Sequence, residues 1–334
     1  MEDWKNKFKM YLFGPNPESM NIEAAVSIIK KYIPKRLFKY TRVSCFSIKN
    51  LNEDTLLFNA PENFDDPYDS SMQALFDPEF ERDCLIEKGD LLTSLFLRYS
   101  QCLSRQDVDK INKSNYPPSE IIRILKEKDK LEDLAEDIDA ITESFDQTEI
   151  CEIGEAAGKH FHEEIRNYYK VSCLSEKFNS MPMWDHYANN HQGFVMEYNF
   201  SEVGNYSFMP FPIIYDKERF NPLPYVREYC QSGNRNDMVG IAALIHKAKD
   251  WSYENEWRLI VSNNQKSTEH SVHKVPTPKA IYLGSKMKPT DILCLKHIAI
   301  EKEIPIFKMK LSKSSYELHP VLIKNNKNIR RVPC

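Results

Sequence analysis

The 334-residue chain reads as an α+β protein: a curved, mostly antiparallel or mixed sheet with helices around it and a helical insertion. Three observations predict this. Strand-like alternation clusters in residues 36–59 and returns after residue 169. Between those clusters, residues 75–168 change to helical spacing and runs of charge. No regular β-α-β alternation runs the whole length, which argues against a doubly wound parallel sheet. The resulting organisation is a helical extension at 1–35, a first part of the α+β core at 36–74, a helical insertion at 75–168 and a second part of the core at 169–334.

The elements follow in order. Asn21 to Tyr32 has apolar residues at Ala24, Ala25, Ile28 and Ile29 and is stopped by Pro34, which predicts a helix. RLFKYTRV (36–43) alternates as a strand, Ser44 or Ser47 caps a helix or turn, and Thr55–Asn59 is a second strand. PENFDDPYD (61–69) is a structured turn, in which Asp65 or Asp66 bonds backbone amides ahead of Pro67 while Phe64 and Tyr68 anchor it. After the insertion, KVSCLSEK is a strand and GFVMEYNF another. The helix between them is capped by Asn179 or Ser180 and carries Trp184, His186 and Tyr187, with His191 beyond. His186 or His191 could serve as a general base, but for each the favoured reading is a buried, hydrogen-bonded histidine. A strand at Pro212–Tyr215, a helix at Val239–Asp250 and a polar hinge at Asn263–His273 come next. PKAIYLG, Pro289–Glu301 and IPIFKMKL then read as strand, helix and strand.

The densest chemistry lies in KDWSYENEWRLIV (249–261). A strand starting near Glu254 puts Glu254, Glu256 and Arg258 on one face and Tyr253 and Trp257 on the other. Three charges on one face of a core strand are costly unless they pair or serve chemistry. The competing reading is an edge strand with a solvated Glu–Arg ladder.

Composition excludes several classes. A hydrophobic content of 41% and a charged content of 28% are those of an ordinary globular protein. The net charge of −4 carries no whole-chain signal for a polyanion, although KNNKNIRR near the end is locally basic. Only 9 glycines occur, with no G-x-G-x-x-G and no P-loop motif, so any nucleotide site uses side chains and strand edges. The 8 cysteines are scattered without a C-x-x-C pair, which predicts reduced thiols and neither a zinc knuckle nor a redox pair. His160, His162, Glu163 and Glu164 are ligand types, but a spacing of two puts the histidines on different helix faces, and no metal is expected. No signal peptide or membrane-length apolar run is seen, so the expected location is cytoplasmic, with no membrane partner.

RLFKY, NAPENFDDPYD, SCLSEKFNSMPMWDHYANNHQGFVMEY and WSYENEWR together resemble a bacterial family catalogued as domain of unknown function 2971. The family turn F-N-D-P-F-D is Phe64-Asp65-Asp66-Pro67-Tyr68-Asp69 here, and the resemblance spans roughly residues 36–310 without the insertion. More distantly, the order of elements is similar to that of ADP-ribosyltransferases. That likeness implies a split, curved sheet and NAD as substrate. Lys39 or Tyr40 stands where those enzymes place a histidine or arginine, and Ser172 and Ser175 stand in the middle element. Neither the first-strand lysine nor the middle serines reproduce the usual motif. Glu256 takes the catalytic position and stabilises an oxocarbenium-like ribosyl cation, and Glu254 orients the acceptor or takes its proton. Lys39, Arg36 or Arg42 holds the pyrophosphate, and Tyr40, Trp184 or Tyr187 stacks on a ring.

The expected function is therefore an NAD-consuming ADP-ribosyltransferase or NAD glycohydrolase, a bacterial toxin or phage-defence effector. Its acceptor is a protein, a nucleic acid or water, and an antitoxin or defence protein is its expected partner. Two alternatives stand beside it. One is a non-catalytic binding or regulatory module of a defence system. The other is a metal-dependent nuclease built on Asp65, Asp66, Asp69 and Glu256.

Overall fold

A computed structural model describes residues 3–14, 20–64, 66, 68–70, 99–113, 117–128, 167–201, 209–222, 224–225, 238–262 and 270–323. The strands are β1 (Leu37–Thr41), β2 (Thr55–Phe58), β3 (Tyr169–Ser175), β4 (Phe194–Tyr198), β5 (Pro210–Pro212), β6 (Ile214–Asp216), β7 (His246–Ala248), β8 (Glu256–Ser262), β9 (Ser271–Lys274), β10 (Ala280–Leu283), β11 (Ile306–Leu311) and β12 (Leu318–Leu322). The helices are α1 (Asp3–Leu12), α2 (Ile22–Tyr32), α3 (Cys45–Glu53), α4 (Arg105–Lys113), α5 (Pro117–Glu127), α6 (Met181–His186), α7 (Met238–Ile245) and α8 (Pro289–Glu301).

Eight strands form one open sheet in the order β12-β11-β10-β4-β1-β3-β8-β5. All of its pairs are antiparallel except β10–β11. Helix α8 makes that parallel connection, because two parallel neighbours need a crossover rather than a hairpin. The mostly antiparallel α+β sheet expected from the sequence is thus what the chain forms.

The sheet opens between β1 and β3, which pair only at Phe38 and Ser175. Beyond that point the Lys39 ammonium, not a backbone amide, donates to the Cys173 carbonyl at 3.0 Å. One step further, Asn59 takes the β3 edge, exchanging both backbone bonds with Val171 at 2.9 and 2.8 Å. The chain leaving β2 is therefore steered across the opening, which carries the 61–70 turn toward β8.

Two cores flank the sheet. The larger includes Leu37, Met196, Tyr198, Trp257, Leu259, Ile281 and Ile306, with Phe8, Leu12, Ala25 and Ile29 from α1 and α2. Trp4 stacks on Tyr32 at 4.7 Å and lies 6.1 Å from Trp257. The first helices are thus part of the main core rather than an appended arm. Asn21 caps α2 by accepting from the Ala24 amide at 2.9 Å, and Ser44 and Ser47 form a reciprocal capping box on α3. The smaller core packs Phe38, Tyr40, Val195, Ala280 and Tyr282 against Met183 and Trp184 of α6. Tyr99, Ile111, Ile121, Ile124 and Leu125 make a separate cluster within the insertion.

Several expectations are corrected. The helix predicted over 239–250 ends at Ile245, and His246–Ala248 pairs with β6 in parallel register instead. Tertiary pairing overrides local helix preference there. Lys249–Glu254 is a 3-10 helix, and β8 begins only at Glu256 because Asn255 adopts a left-handed φ of 45°. The single strand read at 212–215 is two strands, split at Ile213, whose amide bonds the Glu256 carbonyl at 3.0 Å. The end of the polar hinge is β9, paired with β2. Cys45, Cys102 and Cys173 are free thiols, but Cys294 is disulfide-bonded, so uniform reduction does not hold. Scattered spacing does not forbid a bridge, since only the folded geometry decides it. His160, His162, Glu163, Glu164, Asp65 and the basic 324–331 run lie outside the described residues. Among the described residues, no helix is long and apolar enough to cross a membrane.

Helix α6 is tied to the sheet by the loop that follows it. Asn189, Asn190 and His191 all take positive φ, which short polar side chains tolerate better than most. This coil returns Gly193 to the Ala188 carbonyl at 2.7 Å. A Cβ on Gly193 would stand 2.2 Å from the Thr41 carbonyl oxygen and 2.9 Å from Ala188 backbone. Gly193→Ala is therefore expected to cost about 1–3 kcal/mol, since backbone must move to admit the methyl. Urea denaturation checks this, and a midpoint equal to wild type would refute it.

Candidate functional site

A buried network of charges sits where β8 meets the 61–70 turn, β7 and α6. Its hub is Arg258, with 0% of its surface exposed. The guanidinium donates to both oxygens of Asp69, at 2.8 and 2.6 Å, to Glu256 Oε1 at 2.7 Å, and to the Leu244 carbonyl at 2.6 Å. It also lies 5.4 Å over the Phe64 ring, so the turn is held by its aromatic and its aspartate together. Asp66 stabilises the turn by accepting from the Tyr68 amide at 2.9 Å, as expected of an aspartate there. Tyr68 itself is 62% exposed and does not anchor the turn in a core.

The second cation is Lys247. Its ammonium lies 2.6 Å from Glu254, 3.0 Å from Glu256 and 3.8 Å from Asp69. The parallel β6–β7 pair sets Tyr215 beside Lys247, and the Tyr215 hydroxyl accepts from the Glu256 amide at 2.8 Å. Glu254 is not on the strand. The left-handed turn at Asn255 folds it back so that both glutamates reach one ammonium. Ser175 holds that turn by donating to the Glu254 carbonyl at 2.5 Å, and the Tyr187 hydroxyl donates to Glu254 Oε1 at 2.6 Å.

The two glutamates are driven apart electrostatically. Burial works to raise the Glu256 carboxyl, but Arg258 and Lys247 outweigh it and hold it well below the usual carboxylate range. For Glu254, burial and then the Glu256 charge push the carboxyl up, and Lys247 offsets this only in part. One carboxyl therefore stays ionised while its neighbour keeps hold of a proton more readily. Burial raises Tyr187, as do both glutamates, so its hydroxyl remains a donor.

The residues singled out in the sequence divide as follows. Glu254, Glu256, Ser175 and Tyr187 are brought together. Lys39 lies next to the network and interacts with the Glu256 charge, but its ammonium is engaged by the Cys173 carbonyl. Ser172 is in register with Leu259, one step out of phase with the Cys173–Arg258 row, and so belongs to the opposite face. Tyr40 donates to the Lys177 carbonyl at 2.8 Å and packs edge-on to Trp184. The Trp184 indole donates to the Phe178 carbonyl at 2.7 Å, so both rings serve the smaller core. Arg36 is engaged by Glu197, at 2.8 and 3.0 Å, and by Tyr282. His186 is exposed, and His191 is buried, stacked 6.2 Å from Trp184. Lys247, Tyr215 and Cys173, whose thiol bonds Glu256, join the site without having been singled out. The signal for a hidden cation was the E-N-E pair itself, which no core tolerates uncompensated.

Beside the network opens a cleft of about 320 Å³, lined by Tyr68, Asp216–Arg219 and His246–Ala248. His246 is neutral there: its Nδ1 lies 2.7 Å from the Ala242 carbonyl, and burial lowers it from 6.5 to about 4. The unfolded chain takes up a proton below 6.5 that the folded chain refuses until about 4. Stability is therefore whole above that window and falls as pH drops through it, by up to roughly 3 kcal/mol from this residue. His246→Phe is expected to flatten the loss between pH 6.5 and 4. Urea midpoints at the two ends of the window check this, and parallel slopes for variant and wild type would refute it.

Among the described residues, no three His, Cys, Asp or Glu side chains are grouped as a metal ion would require. Asp69 and Glu256 turn their oxygens to Arg258 and Lys247 instead. No curated protein and no solved structure matches the chain. One family does match, over a segment that begins in α6 and ends within β8, taking in Tyr187, Lys247, Glu254, Glu256 and Arg258 but not Asp69. That family is described as Protein of unknown function (DUF2971), its model matches residues 183–259, and it is the family this chain resembles.

Proposed function

We propose that the chain cleaves the N-glycosidic bond of NAD, as an ADP-ribosyltransferase or an NAD glycohydrolase. The observation that carries this reading is the Glu254–Glu256 pair. Two carboxylates share one ammonium and are pushed in opposite directions, which is the arrangement that divides charge stabilisation from proton transfer. Glycosidic cleavage passes through an oxocarbenium-like state and needs those two roles. Glu256 supplies the fixed negative charge near the ribose, and Glu254, bonded to Tyr187 and Lys247, takes the proton of the incoming acceptor. Release of nicotinamide from NAD by the purified chain, lost in Glu254→Gln, is the test. No release with any of water, protein or nucleic acid as acceptor would overturn it. A toxin or phage-defence role adds that induced expression depletes cellular NAD and arrests growth.

A second reading is a binding module in which the charges only hold the turn, α6 and β8 together. The full engagement of Asp69 and Glu256 by cations favours it. The two separate on turnover: the module releases no nicotinamide, yet loses its fold on removal of Arg258 as the enzyme does.

A further inference from the structure

If NAD is the substrate, its diphosphate needs cations that are not already engaged, and the first strand does not offer them. Arg36 is held by Glu197 and Tyr282, and Lys39 by the Cys173 carbonyl. The cleft beside the network does offer them. Arg219 and Lys217 line it, both are exposed, and neither side chain forms an ion pair among the described residues. Asp216, also in the lining, is engaged by Lys9 at 2.8 Å, so it does not cancel them. Glu218 is the one other acid of the lining and suits a ribose hydroxyl. The exposed Tyr68 ring lies 5.6 Å beneath the Arg219 guanidinium, and its chain neighbour Asp69 is held by Arg258. An aromatic face beneath a guanidinium attracts it and helps to hold it in place. Lys247, which lines the same cleft, is the residue on which Glu254 and Glu256 converge. The volume, about 320 Å³, is at the small end of ligand pockets and fits part of a dinucleotide.

We infer that this cleft seats the diphosphate of a dinucleotide, with Arg219 and Lys217 on the phosphate oxygens, Tyr68 supporting the Arg219 guanidinium from below, and Lys247 marking the end where the glycosidic bond lies. The inference rests on the proposed action on NAD and adds the residues that would recognise it. Guanidinium–phosphate pairing is bidentate and charge-assisted, so Arg219 carries more of the affinity than Lys217.

The test uses ADP-ribose, which carries the diphosphate but no nicotinamide, so binding is read without turnover. Calorimetric titration of the full chain is expected to show binding that weakens about tenfold or more in Arg219→Ala, in line with loss of a charge-assisted contact. Lys217→Ala and Tyr68→Ala weaken it less, Arg36→Ala leaves it unchanged, and added salt weakens wild type more than Arg219→Ala. Arg219, Lys217 and Tyr68 are exposed, so the variants keep the wild-type melting temperature. Equal affinity in Arg219→Ala, or no binding by wild type, overturns the seat. Nicotinamide release on the same preparations separates the two ideas. Release with an unchanged KM in Arg219→Ala leaves the activity standing and removes the seat. Arg219-dependent binding without any release leaves the seat and removes the activity.

Discussion

Arg258→Met is expected to cost about 3–5 kcal/mol of folding stability, among the largest losses available to a single substitution in this chain. Methionine fills the stem of the arginine but donates nothing. Both oxygens of Asp69, both of Glu256 and the Leu244 carbonyl then lose buried donors. Lys247 compensates Glu256 in part at 3.0 Å, but at 3.8 Å it does little for Asp69. The loss also has a pH signature. In wild type the Glu256 carboxyl is held below its ordinary 4.5, so its contribution is present above that value and fades as pH falls below it. The gap between variant and wild type should therefore narrow in acid. Adding Asp69→Leu to Arg258→Met should recover part of the loss, because the unpaired carboxylate goes with its partner. Urea titrations of the two single variants and the double variant measure this coupling. Additive losses, or a cost for Arg258→Met below about 1 kcal/mol, would mean that the network is not what holds the turn to β8.

That pairing also marks the limit of what could be read in the sequence. Short apolar or alternating runs such as LFKYT, FVMEY and AIYL declare their strands, and Pro289–Glu301 is a helix with the bounds expected of it. Glu256 and Arg258, two apart on one strand, were legible as a charged pair on one face. The Asp69–Arg258 contact was not, because it spans 189 positions and no local pattern encodes it. Asp69 was legible as the end of a rigid turn and, in the nuclease alternative, as a metal ligand beside Glu256, but not as the partner of Arg258. Lys247 was hidden for another reason: it follows an apolar helical run, and only pairing with Tyr215 on β6 makes it a strand residue facing the glutamates. The nearness of Glu254 to Glu256 was anticipated through alternation, whereas the left-handed Asn255 produces it. The short β1–β3 pairing, with the Lys39 ammonium on the Cys173 carbonyl beyond it, was likewise set only in the assembled sheet.

The second large effect separates the two glutamates. Glu254→Gln is expected to lower kcat for nicotinamide release by about 10²–10⁴ while leaving the fold intact. A glutamine amide can keep its oxygen on Lys247 while the Tyr187 hydroxyl turns to accept from the amide nitrogen, and a neutral group replaces a carboxyl whose charged form burial already disfavours. It cannot take a proton, so the limb of the pH–rate profile set by Glu254 should disappear. That limb lies above 4.5, because burial and Glu256 both push this carboxyl up, and the rate rises through it as the base form appears. Glu256→Gln should behave differently. It strips the counter-charge from Arg258 and from Lys247, so activity and stability fall together. Rates across pH, with melting temperatures for both variants, distinguish these outcomes. If Glu254→Gln turned over NAD at the wild-type rate with its pH limb in place, the proton would have to be taken elsewhere. If Glu256→Gln lost activity without losing stability, Glu256 would act on the ribosyl cation directly rather than chiefly by holding its two cations.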